Sequence, residues 1–121
     1  MTYTMKLFKD EFNNIKCNNK RIEVRLNDEK RKKIKSNDKI LFYKLPYLDE
    51  NVLVNVEQVF IFPSFLDIYR YFPITNFGYK NMGVKEILNK IHTIYTKKEE
   101  DSMGVVAIKF NILGDSDMKN F

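Results

Sequence analysis

Between Val52 and Phe62 the chain alternates apolar and polar residues and changes phase once. Val52, Val54 and Val56 share a face. The alternation slips at Glu57-Gln58, and Val59 and Ile61 resume one residue late. A period of two is the mark of a strand. One extra residue inside a long strand is what a β-bulge inserts, and a bulge bends the strand. Barrels turn their corners with such bulges, so a bent sheet is expected here.

Other elements read from their periods. Arg21 to Leu26 alternates, with Ile22, Val24 and Leu26 on one face and Arg21, Glu23 and Arg25 on the other. Lys39 to Leu45 reads as a strand that Pro46 ends, and Val105 to Ile112 as the last strand, after Gly104. Asp10 to Cys17 reads as a helix with a stripe of Phe8, Phe12 and Ile15. Pro63-Ser64 opens a short helix through Tyr69. Val84 to Tyr95 is the clearest helix, its stripe formed by Val84, Ile87, Leu88, Ile91 and Tyr95. Asn27-Asp28 caps a short turn and Ser36-Asn37-Asp38 forms another. Strands early and late with helices between predict an α+β fold with a mostly antiparallel sheet and about three short helices. With 121 residues, four Gly and three Pro, a single domain over 1–113 is expected, followed by a tail from Gly114 to Phe121.

Composition excludes several classes. No apolar run approaches the ~18 residues of a bilayer span. The first residues lack the basic-then-apolar layout of a signal peptide. Cys17 is the one cysteine, which excludes an internal disulfide and a thiolate-cluster metal site. His92 is the one histidine, so any Ser-His-Asp or Cys-His site would have to use it. As motifs, the P-loop, the dinucleotide fingerprint and the calcium loop are missing. The expectation is a cytoplasmic protein with no membrane, metal or cofactor partner. Cys17 is expected to be small and buried, and His92 to be structural.

The net charge of +5 leans towards polyanions. Lysines outnumber arginines 17 to 4, beside 13 Asn and 12 Ile, a bias of AT-rich coding. Arg21, Arg25, Arg31 and Arg70 are therefore more informative than any lysine. The sharpest local feature is Lys20-Arg21-Ile22-Glu23-Val24-Arg25, which sets a cation, an anion and a cation on one strand face. It reads either as a solvated charge ladder or as the wall of a polar cleft. In the cleft reading Arg25 grips a phosphate or base edge with two prongs, and Glu23 accepts from an amine or acts as a base. The basic run Lys30 to Lys35 is either a solvated face or a phosphate-docking rim, to which Arg31 and Lys33 would contribute. Among the aromatics of residues 60–79, Tyr71, Phe77 and Tyr79 fall in a loop and are the candidates for stacking on bases.

Asn18-Asn19-Lys20-Arg21-Ile22-Glu23-Val24-Arg25 resembles the G-x-K-x-x-E-x-R motif of small ASCH-domain proteins. The resemblance continues in order through Leu26 to Arg31, Asn37 to Phe42, Phe62 to Tyr69 (with Ser64), Ile94 to Glu100 (with Tyr95) and Gly104 to Ile108. Asn18 replaces the motif's Gly, and Asn37 stands where Gly would precede Asp. Asn tolerates a left-handed backbone better than other non-glycine residues. The resemblance implies a PUA-like, mostly antiparallel β-barrel with helices around one opening, and RNA or a nucleotide as partner in a motif-lined cleft. It carries Lys20, Glu23 and Arg25 over directly, with Tyr95 and Glu99-Glu100, in a turn before the last strand, near the cleft.

Some small relatives deacylate N4-acylated cytidine with a lysine at the Lys20 position. They have a threonine at the Glu23 position and a carboxylate before the last long helix, where this chain has Lys80. An amidohydrolase using Lys20 and Glu23 is thus an alternative. A small protein-interaction domain is another.

Overall fold

The phase change at Glu57 is a bulge. Val56 pairs with Phe110 and Gln58 with Lys109, which leaves Glu57 as the extra residue. A second irregularity between Leu53 and Val54 places an extra residue, Leu113, on the opposing strand.

The computed structural model describes residues 1–115. Its strands are β1 (Thr2–Leu7), β2 (Ile22–Leu26), β3 (Lys39–Lys44), β4 (Asn51–Phe62) and β5 (Val105–Asp115). They form one sheet in the order β1-β3-β4-β5-β2. β1 runs parallel to β3, and every other pairing is antiparallel. The sheet curls into a half-barrel whose first and last strands, β1 and β2, are not paired with each other. The fold is α+β, as expected, with a barrel that stays open on one side.

Four α-helices pack on this sheet: α1 (Lys9–Cys17), α2 (Phe65–Tyr71), α3 (Val84–Ile91) and α4 (Lys97–Met103). Two short 3-10 turns cover Arg31–Lys33 and Ile74–Phe77. The sequence predicted three helices, because it assigned Glu99-Glu100 to a turn. A capping box makes them helical instead. The Thr96 hydroxyl accepts from Glu99 N–H at 3.1 Å, and the Glu99 carboxylate accepts from Thr96 N–H at 2.9 Å. The preceding helix ends at Ile91, short of the expected Tyr95, with His92 as its C-cap. β1 is a strand that the sequence analysis passed over, although Tyr3, Met5 and Leu7 alternate. β5 runs to Asp115 and so takes in the first two residues of the expected tail, Gly114 and Asp115; the remainder of that stretch lies outside the described residues.

Two cores lie on opposite faces of the sheet. Val106, Ile108 and Phe110 of β5 join Val52, Val54 and Val56 of β4 and Phe12 and Ile15 of α1 in one. Val105 and Ala107 join Ile22, Leu26, Phe65, Ile68 and Ile87 in the other. The start of β5 is therefore buried on both sides, and each of its large side chains contributes roughly 1.5–3 kcal/mol of transfer free energy. Phe8, expected on the buried stripe of the first helix, is 60% exposed and stands at the rim of a cavity between α1, β2 and α3.

Candidate functional site

The loop after α1 aims Lys20 into that cavity. Asn14 O accepts from both Asn18 N–H and Lys20 N–H at 3.0 Å, which folds the chain back over the helix end. Asn19 takes the left-handed conformation, with φ 56°, whereas Asn18 has φ −123°. The turn residue thus lies one position later than the motif suggested. Asn37 does adopt a left-handed φ of 72°. Gly78, with φ 80°, presses against this loop; a Cβ there would lie 2.8 Å from Asn14 Cβ and 3.0 Å from Lys20 Cβ.

The charged face of β2 is not solvated. Lys20 is 3% exposed and Glu23 4%. Lys20 Nζ lies 2.7 Å from Glu23 Oε1 and 3.2 Å from Glu11 Oε1. The other Glu23 oxygen accepts from Arg25 Nε at 2.7 Å. Arg25 Nη2 reaches across to donate to Lys6 O at 2.9 Å. At the far end Tyr79 donates its hydroxyl to Glu11 Oε1 at 2.9 Å. The result is a continuous chain, Arg25–Glu23–Lys20–Glu11–Tyr79, with alternating charge.

Protonation follows from this alternation. Burial by itself pushes the Glu23 carboxyl up, but Lys20 and Arg25 outweigh it and bring Glu23 down to about 2. Burial opposes the Lys20 ammonium, and Glu23 and Glu11 overcome it, so its pKa is raised. Arg25 moves up for the same reason, with Glu23 as its partner. Tyr79 is raised by burial and by the nearby Glu11 charge, so it stays a neutral hydrogen-bond donor. At neutral pH Lys20 is an ammonium, able to donate but not to attack.

The cavity encloses about 710 Å³, within the span of roughly 300–1,000 Å³ typical of small-molecule sites. Its polar wall is the charged chain just described, and its apolar wall includes Tyr69, Ile87, Ile91 and Tyr95. Lys6, Lys90 and Thr93 also line it.

The structure gathers Lys20, Glu23, Arg25 and Tyr95 at this cavity. The Tyr95 ring stacks on Phe65, centroids 5.6 Å apart. The remaining candidates sit elsewhere. Arg21 turns its guanidinium to Ile15 O at 3.1 Å and Lys20 O at 2.7 Å, holding the end of α1. Ser64 is the N-cap of α2, accepting from Asp67 N–H at 3.3 Å and donating to its carboxylate at 2.9 Å. Arg31 pairs with Asp28 at 3.2 Å and lines a smaller neighbouring pocket. Lys33 is exposed on its 3-10 turn.

Three expectations need correction. Phe77 lies at the end of a 3-10 turn rather than in a loop and is a core residue, 2% exposed with its ring 4.7 Å from Tyr69, although it also borders the cavity. Cys17 is exposed rather than buried, because it closes the polar side of α1. Lys80 is exposed and does not line the cavity; the additional carboxylates there come from Asp10 and Glu11. Glu11 was missed because it approaches Lys20 only through tertiary folding; Tyr79 was expected as a stacking residue, but not its hydroxyl bond to Glu11, 68 residues away. His92 does not line the cavity: its Nε2 lies 2.9 Å from Glu100, whose buried carboxylate also accepts from Phe65 N–H at 2.7 Å.

Among the described residues no helix is long and apolar enough to cross a membrane. Two solved structures share the architecture over 93% of this chain. One is the crystal structure of hypothetical protein PH0355, 30% identical, with a TM-score of 0.80 and 100% of that chain covered. The other is the solution NMR structure of protein PF0455 from Pyrococcus furiosus, 28% identical, with a TM-score of 0.70 and 98% of that chain covered. No curated protein matches the sequence. The family model of the ASCH domain matches residues 5–114, nearly the whole described chain. A curled half-barrel with its charged motif strand turned into a cleft, matched over that length, makes this chain a member of the ASCH domain family.

Proposed function

We propose that the chain binds RNA or a nucleotide in the cleft walled by Lys20, Glu23 and Arg25. One observation carries this reading: a buried ladder of charges forms the wall of an open cavity of ligand size. Charges removed from water are costly unless paired, and here they are paired while their outer faces still border the cavity. Arg25 uses Nε and Nη2 on Glu23 and Lys6, holding its guanidinium plane at the cleft wall, where a phosphate or a base edge can meet it. Tyr95 and Tyr79 offer aromatic surface in the same cavity.

The amidohydrolase alternative asks Lys20 to act as nucleophile or base. Its ammonium stands between two carboxylates and keeps its proton, which favours binding over that chemistry. The interaction-domain alternative rested on a solvated charge ladder, and Glu23 is buried. The test is a titration with short single-stranded oligoribonucleotides at rising salt, wild type beside Tyr95→Ala and Arg25→Ala. Affinity should fall steeply with salt and drop in both variants. Absent binding, or affinity flat with salt, overturns the reading. Turnover of N4-acetylcytidine that vanishes in Lys20→Ala would establish the hydrolase instead.

A further inference from the structure

A second cavity of about 380 Å³ adjoins the cleft on the open side of the half-barrel. Lys6, Arg25, Lys30 and Arg31 line it, and no carboxylate does. Lys6 and Arg25 border both cavities, so the two share a wall. The larger cavity has Asp10, Glu11 and Glu23 to balance its cations, whereas the smaller has no carboxylate in its lining. Lys6 and Lys30 make no ion pair among the described residues. Arg31 gives Nη1 to Asp28, yet its Nε is buried without a hydrogen-bond partner among the described residues. A buried guanidinium N–H left unpaired is unfavourable, so Asp28 does not use all that Arg31 can donate.

We propose that this pocket holds the phosphate of a nucleotide whose base and sugar lie in the main cleft. The inference rests on the nucleotide-binding reading above and adds the phosphate as the recognised group. Two guanidinium groups and two ammonium groups around one small space suit the several oxygens of a phosphate better than a carboxylate. The shared Arg25 sets the two parts of the ligand next to each other. A free mononucleotide and a phosphodiester within RNA carry the same chemistry, and the experiment separates them.

Wild-type protein is titrated calorimetrically with the four ribonucleosides, their 5′- and 3′-monophosphates, and a short single-stranded oligoribonucleotide. At least one monophosphate should bind about tenfold or more tightly than its nucleoside, the gain expected of charge-assisted contacts. Lys30→Gln combined with Arg31→Gln should abolish that advantage and leave nucleoside affinity unchanged. Lys30 is exposed, so Lys30→Glu alone should weaken the monophosphate severalfold with an unaltered unfolding midpoint, which separates binding from folding. If only the oligoribonucleotide loses affinity, the phosphate is that of a phosphodiester, and the pocket assignment stands. If nucleoside and monophosphate bind equally, and neither variant affects the oligoribonucleotide, the phosphate site is overturned while the cleft reading survives. Absence of binding by every probe overturns both.

Discussion

Arg25 on β2 donates from Nη2 to the backbone oxygen of Lys6 on β1 at 2.9 Å, across the side of the sheet that no strand pairing closes. The same guanidinium holds Glu23 through Nε at 2.7 Å. A lysine cannot reproduce this fork. Arg25→Lys should therefore lower stability by about 1–2 kcal/mol, the scale of a lost charge-assisted hydrogen bond, and Arg25→Ala by more. Urea unfolding of the three proteins decides the point. A midpoint unchanged in Arg25→Lys would mean the bond across the opening contributes nothing.

The charged chain ties stability to pH in two windows. Glu23 is at about 2 in the folded protein against an ordinary value of 4.5 for the unfolded chain. Its contribution is present above 4.5 and is lost as pH falls through the folded value. Glu23→Gln should flatten that acid limb when unfolding free energy is measured against pH. Lys20 is raised above 10.5, so its contribution is complete below that value and is lost only as pH rises through the folded one.

Lys20→Met leaves Glu11 and Glu23 facing each other without the cation between them. Breaking a buried pair from one side costs roughly 3–5 kcal/mol, so the variant should be strongly destabilised at neutral pH. The deficit should shrink in acid, where Glu23 takes up its proton. A deficit of equal size at every pH would point to lost packing alone.

Gly78→Ala tests the floor beneath Lys20. The added methyl would stand 2.8 Å from Asn14 Cβ on a backbone with φ 80°, and both features are unfavourable for alanine. A loss of about 1–3 kcal/mol is expected, with weakened ligand binding because Lys20 must shift. Thermal unfolding and the titration above read the two effects separately.

Glu100 joins α4 to the start of α2 through Phe65 N–H and to His92. Glu100→Gln keeps the shape and loses the charge on both bonds. It should lower stability by about 1–2 kcal/mol, and Glu100→Ala by more, measured by urea unfolding. Burial raises the Glu100 carboxyl, while Phe65 N–H, His92 and Lys97 outweigh it and bring it below its ordinary value.

Local patterns carried much of this fold. The slip at Glu57, the stripe of α3 and the alternation of β2 were each legible because side-chain period reports burial directly. Thr96-Lys97-Lys98-Glu99 is a capping signature that also could have been read, as could Tyr3-Met5-Leu7. Within the site, Glu23 and Arg25 lie on one strand with Lys20 just before it, so spacing alone placed Glu23 and Arg25 on one face. Glu11 could not be found that way, nor could its meeting with Tyr79. They reach the site from α1 and from the loop before α3, and nothing in their own neighbourhoods marks the meeting. The parallel pairing of β1 with β3 was equally silent, since alternation says nothing of direction.

The bulge separates two properties that a regular strand ties together. With Glu57 looped out, Val56 and Val59 face the same core. Removing Glu57 would put Val59 two places after Val56, so each later residue would keep its side of the sheet. The hydrophobic phase would survive and the bend would not. A chain lacking Glu57 should then retain both cores but hold its sheet flatter, with a shallower cleft over β2. Concavity would thus hinge on one exposed residue that touches no ligand, and insertions or deletions at that position would tune the depth of the binding surface without disturbing the interior.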